Sequence, residues 1–287
     1  MRVAPIVVAA AAVGCQIVYP LVSGSTRDTV TVAVVGFLAL ASILHAALHR
    51  GAVWTTVLVI VTAGTGFASE LVGTATGIPF GEYFYAQDRL GPSLFEVPVV
   101  VPLAWTAGFY PIWCAVTFVV RRLDTTHPRA AALRIAAVAV GMVGWDLYLD
   151  PQMVTDGQWT WTSGAVGLPG VPSIPLTNYL GWLVVATSMA AVMELLDRSV
   201  SGTHLSDVRS RPSADAVPIG LFLWTWLGSA LAHAVFLDGP ELRFSAVYGF
   251  VVMGTVGIPL VWMAGRDRSL RPRSRAAVDR LGTDTPR

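Results

Sequence analysis

The chain has 287 residues, 54% of them hydrophobic and 13% charged, with a mean hydropathy of +0.62 and a formal net charge of +1. A soluble domain carries nearly twice that charged share, and the near-neutral balance speaks against nucleic acid or an acidic partner. All 19 basic residues are Arg, and a chain without Lys is not a retinal protein, which needs a lysine for its Schiff base.

Apolar runs of roughly 18 residues or more recur along the chain. They predict an all-α, polytopic membrane helix bundle with about eight transmembrane helices. In chain order these are Val3–Val22, Thr29–Leu48, Ala52–Leu71, Val97–Val120, Ala130–Leu149, Leu176–Leu196, Val217–Phe236 and Phe244–Ala264. The first is expected to be retained. Its Arg2 and the stretch Ala12–Val13–Gly14–Cys15 also loosely resemble a cleavable leader, which would leave seven spans. The fourth carries Pro98, Pro102 and Pro111, each expected to bend it. Cys15 and Cys114 both fall inside spans, without the spacing of a metal site.

Arginine sets the orientation. Arg2, Arg50, Arg121, Arg122, Arg129, Arg198, Arg209, Arg211 and the tail from Arg266 fall on one side, and Arg27, Arg89 and Arg243 on the other. The positive-inside rule then places both termini of a multi-pass plasma-membrane protein in the cytoplasm. Residues 1–265 read as one transmembrane domain. Residues 266–287 read as an Arg-rich, disordered cytoplasmic tail near anionic lipid heads.

Two connections differ from the rest. The loops Val72–Glu96 and Asp150–Pro175 are long and rich in Gly, Pro and aromatics, among them Phe80, Tyr83, Phe84, Tyr85, Trp159 and Trp161. By the arginine count both lie on the extracytoplasmic face. Such a segment either folds back to lid a cavity or forms an interfacial aromatic belt.

Carboxyl groups favour the lid. Glu70 ends the third span, and Asp146 and Asp150 end the fifth, four residues apart on one helical face. Glu82 and Glu96 in the first loop read as ordinary loop acids. For Asp150 the plain alternative is a helix-end turn with Pro151. Asp146 and Glu70 lie about a turn inside apolar runs with no Arg nearby in sequence, where an ionisable group costs roughly 2.5–3.5 kcal/mol at the bilayer centre. A carboxyl kept from water favours its neutral form and can donate a proton, while a neighbour that stays ionised accepts one. Aromatic faces such as Tyr83, Tyr85, Trp105, Trp145 and Trp182 would stabilise a carbocation by roughly 0.5–2 kcal/mol each. This equipment suits protonation of an alkene followed by water capture. It suits a proton relay in a transporter as well.

Other chemistries fit less well. His45 and His49 have di-iron spacing, but the chain has five histidines in all, and His127, His204 and His233 are scattered. No metal is expected. A diphosphate site would need a second Asp-rich motif and cations. The GxSxG elbow and the phosphate-cradling Gly loop are absent.

The run Glu70–x–x–Gly73–x–x–Thr76–Gly77–x–Pro79–Phe80–Gly81–x–Tyr83–x–Tyr85, followed by Leu90–Gly91–Pro92 and Val97–Pro98, resembles one membrane family. So does Asp146–x–x–x–Asp150–Pro151, with Gly157–x–Trp159–x–Trp161 and Asn178–Tyr179–x–Gly181–Trp182 after it. The family is the carotenoid-biosynthesis hydratases of the bisanhydrobacterioruberin hydratase type, related to the acyclic-end 1',2'-hydratases. The likeness covers roughly residues 65–185. It implies a cofactor-free hydro-lyase that adds water across the terminal C1'=C2' bond of an acyclic carotenoid end group. On that resemblance Glu70, Asp146 and Asp150 are the candidate catalytic acids. Tyr83, Tyr85, Trp105, Trp145, Trp159, Trp161, Asn178, Tyr179 and Trp182 are the candidate substrate contacts. Expected partners are the lipid bilayer, a long-chain carotenoid and other membrane enzymes of the same synthesis. A proton-coupled transporter, or a carotenoid cyclase or isomerase using the same cation, remains the alternative.

Overall fold

The computed structural model describes residues 3–123, 125–162, 164, 166–201 and 214–269. Arg2, His204, Arg209, Arg211 and the tail from residue 270 lie outside them. Among the described residues, eight helical spans are long and apolar enough to cross a membrane. The first is α1 (Ala4–Val18), closed by a 3-10 turn at Tyr19–Leu21, and the second is α2 (Gly24–Arg50). The third is interrupted: α3 (Ala52–Val59) passes through a π turn at Ile60–Gly64 into α4 (Thr65–Thr76). Then come α5 (Val100–Val120), α6 (His127–Thr155), α7 (Leu176–Ser201), α8 (Ala216–Leu231, prolonged by a π turn at Ala232–Phe236) and α9 (Leu242–Ser269).

The core sits on α5, which packs against α2, α6, α8 and α9. Its Trp105, Phe109, Tyr110 and Trp113 are all buried, as expected of a helix apolar on every side. The expectation that three prolines bend this helix is corrected. Pro98 lies outside it in a short strand, and Pro102 occupies the first turn, where no N–H is missed. Pro111 alone of the three is interior. The α1 helix packs on α2 through Ala9 and Ala12.

A second correction concerns Asp150–Pro151. The chain does not turn there; α6 runs on to Thr155. Proline removes the N–H that would bond the carbonyl four residues back, here that of Leu147. The Ser245 hydroxyl on α9 donates to that carbonyl instead, at 2.6 Å, so the helix continues and keeps Asp146 and Asp150 on one face.

The two long connections form paired ribbons over one end of the bundle, here the lid end. Strand β1 (Tyr83–Tyr85) pairs antiparallel with β4 (Trp159–Trp161), Tyr83 opposite Trp161 and Tyr85 opposite Trp159. Strands β2 (Ser93–Leu94) and β3 (Val97–Pro98) form a second pair, and β5 (Gly167–Leu168) and β6 (Val171–Pro175) a third. Side chains alternate along a strand, so Tyr83, Tyr85, Trp159 and Trp161 share the inward face while Phe84 and Thr160 are exposed. Entry into the lid depends on Gly77, which ends α4 at φ 72°, a left-handed conformation that glycine adopts without strain. Ion pairs tie the lid down. Arg89 grips both Asp28 carboxylate oxygens at 2.7 and 3.1 Å, and Arg27 pairs with Asp156 at 2.7 Å.

Candidate active site

Beneath the lid lies a cavity of about 170 Å³ whose lining includes Glu70, Tyr83, Tyr85, Asp150 and Asn178. No Arg lies among the described residues that line it.

Glu70 enters from α4 and is buried. One of its oxygens accepts hydrogen bonds from the Tyr83 hydroxyl and, at 2.7 Å, from the Tyr85 hydroxyl. The other faces the Trp105 indole N–H at 3.4 Å. Strand periodicity puts both phenols on one side of β1, so a single ribbon delivers two donors to one carboxylate. Burial, and then the charge of Glu70, holds both phenols above the usual tyrosine range, so they stay protonated.

The second group is the aspartate pair on α6. Asn178, at the start of α7, gives its amide to both: Nδ2 lies 2.9 Å from Asp146 Oδ2 and also donates to Asp150 Oδ2. All three residues are buried. Asp150 lines the cavity, whereas Asp146 stands behind it with no exposed surface. Asp146 Oδ1 finds no hydrogen-bond donor among the described residues.

Aromatic rings complete the walls. Trp105 stacks on Trp182 with centroids 3.9 Å apart, and Trp145 meets Trp182 edge-on at 5.9 Å. Glycines seat two of these rings. A Cβ on Gly66 would lie 2.4 Å from Trp105, and one on Gly108 would lie 2.3 Å from Trp145. Trp159 and Trp161 line the cavity from the lid. Tyr179 does not reach it and packs with Leu147, Val171 and Ile174 instead. Successive helical residues point about 100° apart, so Asn178 and its neighbour cannot both face inward.

Of the other acids, Glu82 and Glu96 are exposed on the lid. His45 gives its Nε2–H to the Ala214 carbonyl at 2.7 Å, so Nδ1 accepts from Tyr110 at 2.9 Å. Both ring nitrogens are engaged, and neither is free for a metal. Gln16, Tyr19 and Gln152 also line the cavity. None was singled out from the sequence, although a Gln within an apolar run was a readable signal.

The family model described as "Carotenoid biosynthesis protein" matches residues 29–264. A bisanhydrobacterioruberin hydratase of Haloarcula japonica is 32% identical over 119 residues, which is 41% of this chain and 37% of that relative. The aligned stretch thus spans well under half of the relative's length. No solved structure matches the chain. The chain belongs to the carotenoid biosynthesis protein family.

Proposed function

We propose that this member of the carotenoid biosynthesis family hydrates the terminal C1'=C2' double bond of an acyclic carotenoid end group. The observation that carries the reading is one cavity walled by aromatic rings, into which carboxyl groups from separate helices project with neutral partners only. Two carboxyl groups sharing a single amide in an apolar enclosure suit one proton between them. Asp150, which faces the cavity, gives that proton to C2', and Asp146 behind it shares the charge left. The tertiary cation at C1' is met by the faces of Trp105, Trp145 and Trp182. Glu70, at which the Tyr83 and Tyr85 hydroxyls and the Trp105 indole are aimed, takes the proton from the attacking water as the O–C1' bond forms. Passage of that proton from Glu70 back to Asp150 across the cavity both residues line restores the two groups for the next cycle, so no redox partner is consumed. The arginine count supports a lid on the extracytoplasmic face of the plasma membrane, with the polyene lying in the bilayer.

Expression in a host that makes an acyclic carotenoid, followed by mass analysis of the pigments, tests this. The expected product has gained the mass of one water. A product of unchanged mass with altered absorbance or retention would replace hydration by cyclisation or isomerisation. An unchanged pigment profile would overturn the reading.

A further inference from the structure

The cavity does not end at the acids. It continues away from Glu70 and Asp150 into a slot between α2 and α8, beside the end of α1. One wall is a face of α2, where Thr31, Val34, Val35 and Leu38 recur at helical spacing. The facing wall is α8 and its π turn, where Gly228, Ser229 and Ala232 line the cavity and are only half-buried. These three small residues, spaced within about one helical turn, keep this wall thin. Trp224 crosses the seam below them, its indole N–H donating to Gln16 Oε1 on α1 at 2.8 Å.

The slot's polar groups are largely turned away from any ligand. The Thr31 hydroxyl is taken up by the Arg27 carbonyl, to which it donates at 2.9 Å. Gln16 Oε1 is occupied by Trp224. No Asp, Glu, Arg or His lines this part of the cavity among the described residues. A lining of that kind rejects ions and diphosphates and accepts hydrocarbon.

The geometry points to this α1–α8 seam as the binding subsite for the hydrocarbon chain of the polyene, which enters from the bilayer past Gly228, Ser229 and Ala232 while its end group reaches the acids. This rests on the proposed carotenoid substrate and adds where the rest of that substrate lies and which residues select for a long chain.

The test uses the full-length protein in detergent, with lycopene as probe and binding read by quenching of tryptophan emission. Ser229→Phe and Ala232→Phe are expected to weaken binding about tenfold or more. Leu231→Phe, on the exposed face of the same helix, is expected to bind as the parent does. Seam variants that bind like the parent, or a parent that binds no lycopene, overturn the subsite. If the Phe variants do not fold, the smaller change Ser229→Cys carries the test in a Cys15→Ser/Cys114→Ser background. Bound lycopene should then slow alkylation by N-ethylmaleimide about fivefold or more, and equal rates overturn the subsite. Hydration is scored separately. Lycopene that binds through the seam yet gains no water removes the hydratase reading alone. Hydration that proceeds undiminished in the folded Phe variants removes the seam alone.

Discussion

The acids around the cavity and the acids at the far end of the bundle are used in opposite ways. At the end away from the lid, Glu194, Asp197 and Asp215 each have a guanidinium among the described residues. Arg134 on α6 holds Glu194 and Asp197 on α7, the latter at 3.0 Å, and Arg198 adds a bond to Glu194 at 3.1 Å. Arg50 clasps both oxygens of Asp215 at 2.8 Å. The Trp54 indole completes Asp197 at 2.8 Å. At the lid end Glu70, Asp146 and Asp150 meet phenols, an indole and an amide instead. A carboxylate neutralised by arginine holds helices together, because its charge is spent on a partner that never deprotonates. A carboxyl held by neutral donors keeps its proton chemistry, provided it faces a cavity. The same contrast weighs against a transporter, since the acids a relay would need at the far end are committed to ion pairs.

The sharpest way to break the comparison is to neutralise an acid at each end. Asp150→Asn and Glu70→Gln should each lower the hydration rate roughly 10²–10⁴-fold, measured by the mass of the pigment. Glu194→Gln should leave that rate within about threefold of the parent at equal amounts of folded protein. Equal losses at both ends would erase the distinction.

Removing a cation is the next largest effect and falls on stability instead. Arg134→Ala removes the cation that Glu194 and Asp197 share and should cost about 3 kcal/mol, read from thermal unfolding in detergent. The protein that stays folded should keep its activity.

A smaller change sharpens the lid end. Tyr85→Phe deletes one of the donors to Glu70, a loss of roughly 1.5–3 kcal/mol for a hydrogen bond to a charged group. That is roughly 10–150-fold in rate if the bond is made to the ionised base, measured as above. Because both phenols sit above their ordinary range, the rate profile should show no tyrosine ionisation limb up to about pH 10. The sign for stability follows from the same shift. Below about pH 10 the phenols are neutral in both folded and unfolded chains. Above it the unfolded chain loses those protons first, so stability falls as pH rises, which thermal unfolding from pH 9 to 11 would record.

The smallest effect belongs to Arg198, whose side chain is 45% exposed. Arg198→Gln should change the unfolding free energy by about 1 kcal/mol or less. A larger loss would mean that the far-end network depends on its rim.

Much of this was legible in the residues themselves. The spans announce themselves because a backbone in lipid must bond within its own helix, which demands long unbroken apolar runs. Glu70 and Asp146 stood out because an acid in such a run is expensive unless it has a use. Asn178 was reached by resemblance, with no sign of what it would bond. Tyr179 was chosen by the same likeness and faces elsewhere, since adjacent helical residues diverge. Gln16 and Gln152 carry a weaker mark, because an uncharged amide in an apolar run costs less than an acid does.

Hydropathy and residue order alone determined that this chain is a multi-pass helical bundle in which Glu70 and Asp146 fall inside apolar runs near the same set of helix ends, because those features are local to each segment. Only the folded chain decided that Tyr83 and Tyr85 converge on Glu70, that one amide joins Asp146 to Asp150, and that Asp150 rather than Asp146 meets the cavity. Those contacts join residues from 13 to 32 positions apart. They depend on how a two-strand ribbon and a proline-tolerant helix pack, which no single segment encodes.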